Sequence, residues 1–109
     1  MMILVKAIVR PEKKDELLAG LSNAGFHAAT VLDVVGRGKQ MGIKVGGVVY
    51  DEIPKSLIMM VASADDKDNI VKVILKHAKS GDTGAFGDGK IFISPVEAVY
   101  TISSGATGL

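Results

Sequence analysis

The chain has 109 residues, 48% of them apolar and 23% charged, with a net charge of +1. That length makes one domain with room for a real core, and the near-neutral charge gives no electrostatic case for nucleic acid, which would need a strongly basic face. Cysteine is absent, which excludes disulfides and thiolate metal sites; tryptophan is absent too, so the core must come from Val, Ile, Leu, Met and Ala.

The apolar start, Met1 to Val5, is interrupted by Lys6 and Arg10, too soon for a signal peptide or a membrane span, and the expected location is cytoplasmic. Ile3 to Val9 is β-branched and apolar, a buried strand. Arg10-Pro11 ends it, because proline fixes φ and suits the first turn of a helix. Glu12, Asp15 and Glu16 then sit near the positive end of a helix dipole. Leu17, Leu18, Leu21 and Ala24 recur at helical spacing, and Gly25 closes the helix as its C′ residue. Ala28 to Val35 reads as a second strand.

The next segment, Gly36 to Gly47, has five glycines, the cations Arg37, Lys39 and Lys44, and no hydrophobic period of its own. It reads as a long exposed loop, with Val48 to Tyr50 a short strand at its far end, and such loops in compact domains are usually functional. Pro54-Lys55 leads into a third strand, Leu57 to Ala62, apolar on both faces. Ser63 to Asp66 supplies N-cap residues, and Ile70, Val71, Ile74, Leu75 and Ala78 form the stripe of a second helix. Ile91 to Ser94 forms the last strand, Pro95 breaks it, and Val96 to Ile102 follows. Ser103 to Leu109 reads as a mobile tail.

Strand, helix, strand, loop, strand, helix, strand is the α+β, ferredoxin-like βαββαβ order, with both helices on one face of an antiparallel sheet. The other face would be apolar and bare in a monomer, which predicts self-association through sheet faces.

Between the second helix and the last strand lies Gly81-Asp82-Thr83-Gly84-Ala85-Phe86-Gly87-Asp88-Gly89-Lys90. Its glycines reach positive φ at little cost, successive N–H groups can form an anion nest, and Lys90 adds a full positive charge. The stretch suits a phosphate, or else simply makes turns. It is not a Walker A loop, because Ile91 follows the Gly-Lys pair where Ser or Thr is needed, and a strand follows where a helix is needed. This loop and the one after the second strand leave non-adjacent strands, so they are expected to meet across a subunit interface. Gln40 offers an amide oxygen to a metal or polar ligand, and Lys55 a partner for a carboxylate. No catalytic constellation is present. His27 and His77 lack paired carboxylates or ligand spacing, Asp65, Asp66 and Asp68 read as helix-start acids, and Ser94 has no base at motif spacing.

Arg10-Pro11, Gly25-Phe26, Thr30-Val31, Gly36-x-Gly38-Lys39-Gln40-x-Gly42, Pro54-Lys55 and Gly87-Asp88-Gly89-Lys90-Ile91-Phe92-Ile93-Ser94-Pro95-Val96-Glu97 together resemble the PII nitrogen-regulatory proteins over nearly the whole chain. The resemblance implies a trimeric signal transducer, not an enzyme, that binds ATP or ADP between subunits and 2-oxoglutarate beside Mg2+ and ATP. Residues 37–53 would be the T-loop that docks into targets, and residues 81–90 the B-loop around the nucleotide phosphates. Thr30, Gly36, Gly38, Gln40, Gly84, Gly87, Asp88, Gly89, Lys90, Thr101 and Ser103 fall on nucleotide positions. Gly38, Lys39, Gln40, Met41, Gly42 and Lys55 fall on 2-oxoglutarate positions. Gln40 resembles the Mg2+ ligand, Lys55 the lysine that pairs with the distal carboxylate, and Arg37, Lys44 and Tyr50 target contacts.

The chain departs from the family pattern in four places. Residues 37–53 are shorter than a typical T-loop and lack its central modifiable tyrosine, Tyr50 standing close to Lys55. Thr101 and Ser103 stand where the family has phosphate-facing arginines. The glycine loop is extended at Ser80-Gly81-Asp82, and Phe86 replaces an aliphatic. A short loop opening Gly-Arg-Gly-Lys-Gln resembles the PII-like proteins encoded among nitrogen-fixation genes, which act in pairs of related subunits. The resemblance therefore implies direct inhibition of nitrogenase, relieved by 2-oxoglutarate, by a homotrimer alone or with a paralogous subunit. The alternatives are regulation of glutamine synthetase or an ammonium channel, or an adenylate sensor without a 2-oxoglutarate response.

Overall fold

The structure is a computed structural model that describes residues 1–37 and 52–109 and, of residues 43–45 and 48–50, the backbone alone. Strand β1 (Met2–Val9) leads through one 3-10 turn (Pro11–Lys13) into helix α1 (Lys14–Asn23). Strand β2 (Thr30–Gly36) is followed by the short strands β3 (Ile43–Val45) and β4 (Val48–Tyr50), then by the long strand β5 (Ile53–Ser63). A second 3-10 turn (Ala64–Asp66), helix α2 (Lys67–Ala78) and strand β6 (Gly89–Val96) complete the order. The main sheet runs β2-β5-β1-β6, and each neighbouring pair is antiparallel. This is the ferredoxin-like arrangement that the element order predicts.

Local chemistry explains the boundaries. Pro11 sits at the first position of its turn, where a missing N–H has no helical partner to lose. Gly25 has φ +97° and ends α1, and the Phe26 N–H returns to the Leu21 carbonyl at 2.8 Å. Ser63 caps the turn before α2, its hydroxyl accepting from the Asp65 N–H at 3.2 Å.

Along β1 and β5 every second residue is buried. Ile3, Val5, Ala7 and Val9 alternate on one strand, and Ser56, Ile58, Met60 and Ala62 on the other. They pack with Leu17 and Leu21 of α1 and Ile70, Ile74 and Ala78 of α2 into a single core. On the opposite face the register sets Leu4 beside Val61, Ile8 beside Leu57, and Leu32 beside Leu57. At that face's two edges Leu32 and Phe92 are 43% and 51% exposed. The apolar second face is therefore present in the single chain, with Lys6 standing exposed within it. No helix among the described residues is long and apolar enough to cross a membrane.

Five readings of the sequence need revision. The segment read as a loop without periodicity contains a two-stranded ladder that pairs Ile43 with Tyr50 and Val45 with Val48; a hairpin this short needs no repeating pattern to form. Strand β5 begins at Ile53 and passes through Pro54, so the range 37–53 ends inside a strand. Pro95 does not break the last strand: β6 runs through it because it is an edge strand, with one side where an absent N–H costs nothing. Gly89 and Lys90, read as loop, are already in β6, which leaves 80–88 as the connection. The C-terminal residues are no loose tail. Tyr100 bridges Thr107, Thr101 N–H donates to Ala106 O at 2.8 Å, and Gly108 N–H donates to Val99 O at 3.0 Å.

Candidate functional site

Val9 pairs with both Ser56 of β5 and Gly89 of β6, so the next residues outward, Arg10, Lys55 and Asp88, arrive together at one end of the sheet. The connection from α2 to β6 folds over that end. Gly81, Gly84, Gly87 and Gly89 all have positive φ, the region that other residues enter only at a cost.

Asp88 holds this connection together. Its Oδ1 accepts from the Ser80 hydroxyl at 2.6 Å and from Arg10 Nε at 3.0 Å, and its Oδ2 accepts from the Ser80 N–H at 3.0 Å and the Ala85 N–H at 2.8 Å. Those donors hold its carboxyl far below the usual carboxylate range. The Ser80 hydroxyl contributes most, then the Ser80 and Ala85 N–H groups, then Arg10, against an opposing penalty from partial burial. Such a group is a weak proton acceptor, which argues against Asp88 as a water-activating base.

Two cations grip the backbone next to it. Arg10 Nη2 donates to the Phe86 carbonyl at 2.6 Å, and Lys55 Nζ donates to the Gly87 carbonyl. Lys90, opposite Ile8 on the sheet face away from the helices, adds a third positive charge. Behind the connection lies a cleft of about 700 Å³, lined by Ile8, Leu75, Ala78, Thr83, Phe86 and Lys90 among others. Apolar walls beside a cationic, glycine-rich rim can take a ligand with a flat apolar part and an anionic tail.

The predicted residues divide into three sets. Gly84, Gly87, Asp88, Gly89, Lys90 and Lys55 are assembled at this end of the sheet. The two loops were expected to meet between subunits, yet Lys55, from the base of the long segment, meets the glycine loop within one chain. Gly36 pairs with Ile53, and exposed Arg37 follows it at the same end. Thr30 starts β2 opposite Met59, four positions along β5 from Lys55. Thr101 and Ser103 follow β6, whose last residue, Val96, stands a strand length of about 23 Å from Gly89. Among the described residues no side-chain hydrogen bond joins these three to the glycine loop. Gly38, Lys39, Gln40, Met41 and Gly42 lie outside the described residues, as do the side chains of Lys44 and Tyr50. Among the described residues no three His, Cys, Asp or Glu side chains cluster as a metal site.

Arg10 and Ser80 are contributors that the sequence marks only as a strand end and a loop extension, not as site residues. Arg10 lies 78 residues from Asp88, and only the β1–β6 register brings them together. Ser80 reads as loop filler unless Asp88 is known to fold back on it.

His27 and His77 stand apart from this site. His27 Nδ1 is 2.7 Å from the Ser22 hydroxyl, and His77 Nδ1 is 3.4 Å from Glu16 Oε1 on the outer face of the helices.

Comparison with known proteins gives a consistent picture. The family model described as "Nitrogen regulatory protein P-II" matches residues 2–106. The "Nitrogen fixation nifHD region GlnB-like protein 1" of Methanothermococcus thermolithotrophicus is 48% identical over 108 residues, covering 99% of this chain and 100% of that protein. Its namesake in Methanothermobacter marburgensis is 49% identical over the same length and coverage. The "Nitrogen regulatory protein P-II 2" of Methanothermobacter thermautotrophicus is 45% identical, covering 95% of this chain and 91% of its own. Among solved structures, Arabidopsis thaliana PII bound to citrate superposes with a TM-score of 0.78 at 29% identity, covering 98% of this chain and 85% of that one.

Proposed function

The chain belongs to the nitrogen regulatory protein P-II family, and from that premise we propose that it is a nitrogen-status signal transducer that binds ATP or ADP and 2-oxoglutarate and regulates nitrogenase by direct contact. The observation that carries this reading is the meeting of the glycine loop with Lys55 at one end of the sheet. A phosphate-type site and a carboxylate-type cation are then near enough to sense two ligands at once.

In this reading the Gly87 N–H and Lys90 face the nucleotide phosphates, and the apolar wall of the cleft takes the base. Lys55 Nζ has three protons and uses one on the Gly87 carbonyl, which leaves donors for the distal carboxylate of a keto acid. Mg2+, held by nucleotide and keto-acid oxygens with Gln40, would supply charge neutralisation between the two ligands. Thr30, Thr101 and Ser103 are supplied by a neighbouring copy, as no hydrogen bond among the described residues joins them to the loop within one chain. The apolar second sheet face supplies the surface for a trimer, alone or with a paralogous subunit. Arg37, Lys44 and Tyr50 belong to the segment that contacts the target, and 2-oxoglutarate releases that contact.

Nitrogenase is favoured over glutamine synthetase or an ammonium channel by the full-length match to proteins of nitrogen-fixation regions. Calorimetric titration with Mg-ATP, with and without 2-oxoglutarate, tests the sensor. Each ligand is expected to tighten the other by the same factor, as linkage requires. Lys55→Ala is expected to weaken 2-oxoglutarate far more than ATP, and equal losses would remove Lys55 from the keto-acid site. ATP binding without synergy would make the chain an adenylate sensor. A nitrogenase assay with and without 2-oxoglutarate then tests the target.

A further inference from the structure

By the resemblance Asp88 falls on a nucleotide position, but its surroundings give it another part. A carboxylate offers about four lone-pair sites, and Asp88 has four donors on it: the Ser80 hydroxyl, the Ser80 and Ala85 N–H groups, and Arg10 Nε. None is left for a metal ion or a ligand donor. By charge alone, a carboxylate beside a phosphate site would repel the anion.

We infer that Asp88 and Arg10 are positioning residues that set the anion-facing side of the glycine loop without touching the ligand. This rests on the reading of the loop as an anion site.

The geometry works through the planarity of the peptide, which points a C=O and the following N–H in opposite directions. Arg10 draws the Phe86 carbonyl toward the sheet end at 2.6 Å, so the Gly87 N–H is turned outward. The next N–H, that of Asp88, closes on the Ala85 carbonyl at 3.2 Å and is consumed in the turn. Asp88 anchors Arg10 at its Nε, so the guanidinium bridges the loop's side chain and its backbone. Ser80, bonded through both N–H and hydroxyl, fixes where the loop leaves α2. A Cβ at Gly87 would lie 3.3 Å from Arg10 Nη2, so the guanidinium is packed close beneath that amide.

The test turns on a difference of sign. Asp88→Asn removes a negative charge next to the anion while keeping the side chain's size. If Asp88 acted only through its charge, inorganic triphosphate would bind more tightly to the variant. If Asp88 positions the loop, binding weakens by about tenfold, the scale of one lost charge-assisted hydrogen bond. In the ligand-free protein, amide hydrogen exchange at residues 84–88 should then quicken while the strands and helices stay protected. Arg10→Lys, which keeps the charge but cannot span both acceptors, should loosen the same amides. Ser80→Ala removes one bond and should weaken triphosphate in the same direction, which keeps the test decisive if Asp88→Asn does not fold. Unchanged exchange in the loop, or equal or tighter triphosphate binding by folded variants, would overturn the inference. Should the parent chain bind neither triphosphate nor Mg-ATP, the nucleotide reading fails, while the exchange measurement still decides the positioning role.

Discussion

At Gly89 the backbone has φ +113°, and a Cβ built there would overlap the carbonyl oxygen of Ile8 on the neighbouring strand. Both the conformation and the space exclude a side chain, and the obstacle is backbone that cannot step aside. Gly89→Ala is expected to cost on the order of 3 kcal/mol or more in urea unfolding, or to prevent folding; a loss below about 1 kcal/mol would contradict the close approach of β1 and β6. Gly20 poses a milder case, since its Cβ would meet the His77 imidazole, a side chain that can rotate.

Asp88 is the residue whose titration matters to stability. Its carboxyl is depressed in the folded chain, so the native state binds its proton less readily than the unfolded one does. The stabilisation is therefore fully present above the ordinary aspartate value of about 3.9. It drains away as pH falls below that value toward the lower native one. The stability gap between the parent and Asp88→Asn should be constant from pH 7 to pH 5 and narrow steadily below pH 4. A gap independent of pH would mean that the carboxylate is not held as its four donors imply.

Among the elements, the two helices and the strands β1, β2 and β5 were legible because their signals are local. Pro11 and Gly25 bracket α1, Ser63 opens the approach to α2, and β-branched runs mark the strands. Leu17, wholly buried under the sheet, follows from helical spacing alone. Leu17→Ala should cost about 2–5 kcal/mol in urea unfolding; a change under about 1 kcal/mol would place it outside the core. Pro95 misled because proline reads as a breaker, and only the sheet order reveals that β6 has a free side. The C-terminal turn was missed because its bonds are backbone to backbone, Gly105 N–H to Thr101 O at 2.7 Å among them, and small polar residues do not announce them. At the site, Lys55 and the glycine loop were legible from residue type and motif. Arg10 was not, because its place depends on a register between strands 78 residues apart in sequence.

Among the described residues the sheet presents one face to the helices, while Leu4, Ile8, Leu57 and Val61 stand half-buried along the other, where no helix packs. An apolar face of that kind in a 109-residue chain calls for a partner surface. Light scattering should give the mass of a trimer, and Met59→Lys, which puts a charge on that face opposite Thr30, should shift it to monomer. A monomeric parent would remove the intersubunit site. On the proposed reading, loss of association should carry loss of nucleotide binding with it, because Thr30, Thr101 and Ser103 would then be missing from the cleft.

On the proposed reading, β6 separates two ligand-facing ends of each chain, the glycine loop before it and the segment with Thr101 and Ser103 after it. In a closed ring each cleft is then read in a fixed direction, with one end from one neighbour and the other end from the next. A ring of identical chains has identical clefts. A ring of two kinds of chain has clefts that differ in which kind supplies which end, so exchanging one subunit alters two clefts at once and in different ways. If the proposed sensor forms such a mixed ring, changing the proportions of its subunits would retune it without changing a residue in either.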